Sequence, residues 1–264
     1  MFIITGASSG IGAELALQLS KKAIELRYSL LPYNYNLAFE NNRYGLPLMR
    51  PLFFYDDSND LKTISSSYLW GNDILVSPII EPNKKTQQVH FPKGSNWYDY
   101  YTGTMYEGGT SSFVKTSKEY IPTFIKAGSI IPMIKNLHNT DNYSLDNLEL
   151  HYYPDLFKKN NRNFYNDNGL LANAFEKEEY EIIQVGVTDK KALKKITVES
   201  KIGKKYDIKK RKIEIVIHSA NKKPKKVIKN NKNISFEYNN ITNSIHVFTD
   251  WVTSKKLKIK IKNI

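Results

Sequence analysis

Three groups of residues have the types and spacing to do chemistry. The first is the loop TGASSGIG, between an apolar strand at Phe2 to Ile4 and a helix from about Ile11. Its Thr5, Gly6, Gly10 and Gly12 would let the backbone turn tightly against a pyrophosphate at a helix N-terminus. The second is a set of carboxylates: Asp56, Asp57 and Asp60 in FFYDDSND, Asp73 ahead of an apolar strand, and Asp167 in NDNG. Paired carboxylates can act as acid and base, yet Ser, Asn and Asp at this density form turns. Asp73 reads as a strand-edge hydrogen-bonder and Asp167 as part of a hairpin turn. The third is aromatic. Trp97, Tyr98, Tyr100 and Tyr101 could stack on pyranose rings or fill a sandwich core, and core is the favoured reading. His90, His138, His151, His218 and His246 show no metal-ligand spacing, so no metal is expected. No GxSxG elbow or P-loop occurs.

The elements that would position these groups change character along the chain. Ile11, Leu15 and Leu19 recur at helical spacing, and the pattern runs on into IELRYSLLPYNYNLAFENN. Pro32 should kink this helix, and Asn41, Asn42 and Gly45 should end it. Its second half, Ile24 to Phe39, is apolar nearly all round, as in a helix wedged between other elements. LPLMRPLFFY is extended but interrupted by Pro47 and Pro51. Short strands follow at DILVSPII, QQVHF, TSSFVK and SIIPMI, with turns at PNKK, PKGSN, TGTMYEGG and KAG. A second series reads NLELHYY, NFYNDNG, YEIIQVGV, KKITVES, IEIVIHS, NISFEY, SIHVFT and KLKIKIK. Such regular spacing indicates β-sandwiches or barrels.

The 264 residues include no cysteine, which excludes disulfide scaffolds, cysteine nucleophiles, iron–sulfur clusters and thiolate zinc sites. The net charge is +13, but residues 186–264 hold 22 Lys and Arg against 6 Asp and Glu, so the excess lies in the tail. Arg211 is the only arginine there. In KLKIKIK the lysines alternate with Leu257, Ile259 and Ile261, as in a strand with one face in water. This reads as a solvated basic surface, with no nucleic-acid partner expected. No apolar run approaches a membrane span and no export signal is present, so the chain reads as cytoplasmic.

Residues Thr5 to Gly12 and the following GAELALQLSKK resemble the cofactor loop and first helix of short-chain dehydrogenases. The resemblance covers about residues 1–22 and implies a vestigial NAD(P) loop. The βα units that complete a dinucleotide fold do not follow, and no cofactor is expected to bind. Those enzymes pair Tyr-x-x-x-Lys for proton transfer. The match here, Tyr206–Lys210, is expected by chance among 18 tyrosines and abundant lysines.

From about residue 23 a second resemblance takes over. IELRYSLLPYNYNLAFENNRYGLPLMRPLFF is similar to the segment closing the catalytic barrel of glycoside hydrolase family 31, the α-glucosidase and α-xylosidase group. SSSYLWGNDILVSPII (Ser65 to Ile80), SNWYDYYTGTMYEGG and EYIPTFIKAGSIIPM resemble its proximal β domain, and FYNDNG (Phe164 to Gly169) a motif of its distal one. The resemblance implies a mainly β fold with a small α/β head. It would comprise a Rossmann-like β-turn-helix fragment (1–22), a remnant of a (β/α)8 barrel (23–64), and proximal (65–135) and distal (136–264) β-sandwich domains. It also implies a retaining α-glycosidase ancestry, with carbohydrate as the parent family's partner. That chemistry needs two carboxyls about 5–5.5 Å apart. Neither of the family's catalytic aspartate motifs is present, so no catalytic residue is assigned and the chain is expected to be inactive. A non-catalytic β module that binds sugar or a partner and an NAD(P)-dependent oxidoreductase fragment are the alternatives. The Asn142, Asn233 and Asn240 acceptor patterns carry little weight in an asparagine-rich chain. The apolar Ile24–Phe39 helix predicts self-association and an unstable head.

Overall fold

The computed structural model describes residues 10–262 apart from 136, 138, 157, 158 and 191. The strand expected at Phe2 to Ile4 lies outside these. The single helix expected to kink at Pro32 is two helices, α1 (Gly10–Ser29) and α2 (Leu31–Tyr44). Leu30 breaks the run at φ −85° and ψ 6°. Pro32 then falls in the first turn of α2, where a missing N–H costs nothing. At the other end Gly45 adopts φ +70° and donates its N–H to Asn41 O at 2.8 Å. The all-round apolar helix expected over Ile24–Phe39 is therefore corrected. Leu30, Tyr33 and Leu37 face one core, while Ile24 is 53% exposed.

Beyond α2 come β1 (Met49–Arg50), a 3₁₀ turn (Leu52–Phe54) and a short helix α3 (Asn59–Lys62). The strands that follow are β2 (Tyr68–Trp70), β3 (Ile74–Val76), β4 (Thr86–His90), β5 (Trp97–Asp99), β6 (Met105–Tyr106), β7 (Ser111–Lys115), β8 (Thr123–Lys126) and β9 (Ile130–Ile134). A six-stranded sheet runs β1-β2-β3-β8-β5-β6, and β4 and β7 form a separate ribbon. One face of the sheet packs Ile74, Val76 and Ile125 against Leu30, Tyr33 and Leu37 of the helical segment. The other packs Leu69, Leu75 and Phe124 against Val89 and Val114 of the ribbon. Gly71, at φ +65°, turns β2 into β3 directly against Tyr33 and Leu37, where a Cβ would collide with both.

The remaining strands are β10 (Asn147–Tyr152), β11 (Lys159–Asp167), β12 (Tyr180–Lys190), β13 (Leu193–Ile202), β14 (Lys210–Ile217), β15 (Lys226–Lys229), β16 (Lys232–Ile234), β17 (Glu237–Asn239), β18 (Ser244–Val252) and β19 (Leu257–Lys262). Sheets β17-β18-β14-β10-β9 and β11-β12-β13-β19-β15-β16 enclose one core, which includes Leu148, Ile183, Val198, Ile215, Val247 and Ile259. β10 and β14 pair in parallel, whereas their other neighbours are antiparallel. The sheets are stitched together by a buried ion pair, Arg211 with Glu181, and by the Tyr152 bond to Asp189, which is itself paired with Lys194 of its own sheet. Arg211 Nη1 donates to Glu181 Oε1 at 2.9 Å, and Asp189 takes Lys194 on one oxygen and the Tyr152 hydroxyl, at 3.1 Å, on the other. Such charges are tolerable inside because each is paired.

β6 lies inside the stretch expected as a turn, TGTMYEGG, because Tyr106 can bury its ring on Phe91 and Phe124. The strand expected at NISFEY is split, since β16 and β17 belong to different sheets. Among the described residues, no helix is long and apolar enough to cross a membrane.

Candidate functional site

Of the loop residues, Thr5 and Gly6 lie outside the described region, Gly10 opens α1 and Gly12 lies within it. The Tyr206–Lys210 pair does not sit on a helical turn: Lys210 begins β14, and the Tyr206 hydroxyl accepts from Asn166 Nδ2 at 2.9 Å.

The aspartates hold the fold. Asp56 Oδ1 accepts from the Ser58 N–H at 3.1 Å and its Oδ2 from the Lys93 N–H at 2.9 Å, tying two loops together. Burial pushes the Asp56 pKa up, but the bonds from Ser58 and Lys93 outweigh it and hold the group at about 2. Asp73 is buried, accepting from Ser129 Oγ at 2.9 Å and facing Arg162 Nη2 at 3.1 Å. Arg162 also reaches Glu40 Oε1 of α2 at 3.5 Å, and Glu40 Oε2 lies 3.6 Å from the buried Arg50 Nη2. This cluster joins α2, the first sheet and β11. Asp167 closes its turn through the Gly169 N–H at 2.7 Å and accepts from the Tyr35 and Tyr165 hydroxyls, each at 2.6 Å.

The aromatic group divides. Trp97 and Tyr98 are core residues, with Trp97 Nε1 donating to Pro92 O at 3.1 Å and the Tyr98 hydroxyl to Pro154 O at 2.8 Å. Tyr100 and Tyr101 instead line a groove of about 970 Å³ with Tyr28, Tyr68, Trp70 and Tyr120. There Tyr101 stacks on Tyr120 with ring centroids 3.8 Å apart. A second groove of about 740 Å³ shares Ile134, Lys135 and Leu137 with the first and continues past Asn147, Glu149, Glu214 and Phe248.

A polar row that the sequence did not announce borders this second groove. Parallel pairing sets Glu149 of β10 beside Glu214 of β14, and Lys135 bridges both, at 2.8 Å from Glu214. His151 Nε2 meets Glu149 Oε2 at 3.0 Å, and His246 Nδ1 meets Glu214 Oε1 at 2.7 Å. Burial pushes Glu149 up, but bonds from His151 and Lys135 bring it down to about 2. His218 lies 2.9 Å from His151 and stacks on Tyr153, and burial, then the two histidines nearby, lower it to about 3. It is neutral at ordinary pH. The alternation Leu148, Glu149, Leu150, His151 in β10 could have shown Glu149 and His151 on one face. The parallel neighbour that completes the row could not be read locally. Both glutamates are held by the shared Lys135 and each by a histidine, and neither is an exposed acid or nucleophile. Among the described residues no three His, Asp or Glu side chains are placed to hold a metal.

Residues 45–131 match the family described as the glycosyl hydrolase family 31 C-terminal domain. An alpha-xylosidase of Saccharolobus solfataricus is 37% identical over 167 residues, 62% of this chain and 22% of its own. Alpha-glucosidase 2 of Bacillus thermoamyloliquefaciens is 35% identical over 164 residues, 62% of this chain and 20% of its own. The chain thus spans about a fifth of the length of these relatives. Among solved structures, a Flavobacterium johnsoniae GH31 dextranase complexed with isomaltotriose superposes with a TM-score of 0.87 at 27% identity. The match covers 94% of this chain and 33% of the dextranase. In fold alone, a GH31 alpha-xylosidase from Xanthomonas citri matches at TM-score 0.71 and 22% identity, over 89% of this chain and 24% of that one. With its strands, cores and turns placed as above, the stretch 45–131 is similar to a glycosyl hydrolase family 31 C-terminal domain.

Proposed function

We propose that this polypeptide is the C-terminal, non-catalytic part of an α-glucosidase-like or α-xylosidase-like glycoside hydrolase, inactive by itself. The superposition on one third of a GH31 dextranase carries the reading. It is supported by the occupation of the strongest carboxylate candidates, Asp56, Asp73, Asp167, Glu149 and Glu214, in hydrogen bonds or ion pairs. We read 1–22 as the dehydrogenase-like fragment, 23–64 as the barrel-derived link, and 65–135 and 136–264 as the proximal and distal domains. Leu17 and Ile24 on α1, and Met49, Phe53 and Phe54 after α2, are exposed apolar side chains that the rest of such an enzyme would cover. Without that cover we expect them to favour self-association.

An aryl α-glucoside assay tests the reading, and no turnover above background is expected. Turnover that copurifies with the chain and is abolished by Glu149→Gln or Glu214→Gln would overturn it. The groove favours a second reading, a carbohydrate-binding module. Its Tyr101–Tyr120 stack offers an aromatic face, and isomaltotriose binding lost in Tyr101→Ala would establish it. For the loop at Thr5, Gly6, Gly10 and Gly12, calorimetry with NAD is expected to show no micromolar binding. Binding abolished by Gly10→Val would instead support the oxidoreductase fragment.

A further inference from the structure

The outer face of the six-stranded sheet β11-β12-β13-β19-β15-β16 carries an arrangement that the glycosidase reading does not use. In β19 Leu257, Ile259 and Ile261 enter the core while Lys258, Lys260 and Lys262 turn outward. On one side β13 sets Lys195 directly opposite Lys260, and on the other β15 sets Lys226 directly opposite Lys262. Thr188 of β12 faces Lys195, and Lys159 of β11 faces Thr188, extending the row. Like charges directly opposite in neighbouring strands, about 5 Å apart, destabilise a sheet. Among the described residues, Lys159, Lys195, Lys226, Lys258, Lys260 and Lys262 have no carboxylate partner, and Glu199 of β13 is held by Lys256 at 2.9 Å.

Beside the lysine rows the face carries a hydrogen-bonding strip, bordered by Lys190, Lys201 and the paired Glu199. Asn161 and Asn163 of β11, Gln184 of β12 and Thr197 of β13 share it, and Gly186 stands in register between Asn161 and Thr197. A Cβ on Gly186 would meet Thr197 Oγ1 at 2.9 Å and Asn161 Oδ1 at 3.0 Å, so both polar groups lean over the glycine. Ammonium rows beside a strip of amides and hydroxyls match a polymer that carries anionic groups and hydroxyls together.

We propose that this face binds a linear acidic polysaccharide, its carboxylate or sulfate groups on the lysine rows and its hydroxyls on the Asn–Gln–Thr strip. The proposal goes beyond the glycosidase reading and does not depend on it. Nucleic acid fits the face less well. Among the described residues it has no outward arginine fork, since Arg162 turns inward to Asp73, and its aromatic residues Tyr165 and Tyr180 are stacked with Phe39 and Phe175 rather than open to bases. A membrane surface fits less well too, because Ile228 and Leu193, the aliphatic side chains beside the lysines, are half-buried and offer no inserting group.

The test is a titration of the full chain with heparin, a sulfated and carboxylated polysaccharide, at several salt concentrations. Dextran, anionic phospholipid vesicles and a single-stranded oligonucleotide serve as comparators. Heparin is expected to bind with an affinity that falls as salt rises, and dextran not to compete. The variant Lys195→Gln/Lys226→Gln/Lys260→Gln/Lys262→Gln should lose at least about ten-fold in affinity and show a shallower salt dependence. A control, Lys85→Gln/Lys115→Gln/Lys118→Gln/Lys177→Gln, removes the same charge elsewhere and should bind like the parent. The face variant should also melt no lower than the parent, because it removes opposed charges. Equal losses in the two variants would reduce the effect to net charge and overturn the proposal. Tighter binding to vesicles or to the oligonucleotide would overturn the polysaccharide assignment, and a lower melting temperature in the face variant would overturn its electrostatic premise.

Discussion

The two consecutive helices differ in what they touch more than in what they are made of. α2 is anchored on both β halves. The Tyr33 hydroxyl donates to Trp70 O at 2.7 Å in the first sheet, Asn36 Oδ1 accepts the Tyr165 N–H at 3.0 Å, and Phe39 stacks on Tyr165 at 3.9 Å. α1 leaves Leu17 65% exposed, and its ion pairs join solvent-facing side chains. An expectation of a uniformly loose helical head therefore fails at α2, which is part of the core it was expected to leave. Docking follows from aromatic and amide groups that find partners across the fold, and apolar content alone does not decide it.

The sharpest way to break this contrast is to truncate one side chain in each helix. Tyr33→Ala removes a fully buried ring packed edge-to-face on Trp70, with centroids 6.2 Å apart, and should cost about 3–5 kcal/mol. Ile24→Ala should stay within about 0.5 kcal/mol. Urea unfolding of both variants decides it, and equal losses would erase the distinction. It follows that a truncation starting near Ser65 should be less stable than the whole chain, because it removes Tyr33 and Leu37 from their core.

A smaller effect is expected at Tyr35. Tyr35→Phe removes the 2.6 Å bond to Asp167 and should cost about 1–2 kcal/mol at neutral pH. Burial and the bond to Asp167 hold the Tyr35 phenol above its ordinary value of 10.0. The unfolded chain therefore loses this proton first. The stabilisation is complete below pH 10 and declines as pH rises beyond it. Melting temperatures measured across that range should fall less steeply in Tyr35→Phe than in the parent.

Much of this was legible in the sequence, and the limit is instructive. The alternation of KLKIKIK in β19 correctly placed Leu257, Ile259 and Ile261 inside, since a strand's period is local. The strand-edge position of Asp73 predicts a hydrogen-bonder, which it is, but its partner Arg162 stands on a strand from the other half of the chain. The row of Lys135, Glu149 and Glu214 depends on β9, β10 and β14 becoming neighbours, and the parallel register of the last two is a property of the assembled sheet. The break at Leu30 was visible as a kink at Pro32. That it separates a docked helix from an exposed one depends on Tyr33, Tyr35 and Phe39 meeting surfaces built later in the chain.

Gly45 tests the far end of α2. At φ +70° with open space around it, Gly45→Ala meets no clash and suffers only the left-handed backbone cost, about 1 kcal/mol. A thermal shift of that order is expected. A neutral result would show that the end of the helix relaxes without disturbing its docked middle.

The smallest effect belongs to α1 and sharpens the contrast from the other side. Lys22 Nζ lies 3.5 Å from Glu119 Oε2 with both side chains about two-thirds exposed, and Lys21 lies 4.0 Å from Glu25 on the same helix. Exposed pairs gain little in water, immobilise long side chains and are screened by salt. Glu119→Gln should therefore change stability by less than about 0.5 kcal/mol, and the change should shrink as salt is raised. Hydrogen exchange provides the complementary readout. Amides of α1 should exchange through local opening, well before those of Tyr33 to Phe39, whose opening requires breaking the core contacts of α2. A larger cost for Glu119→Gln, or equal protection of the two helices, would mean that α1 is docked as firmly as α2 and that Leu17 and Ile24 are not the free surface they appear in this fold.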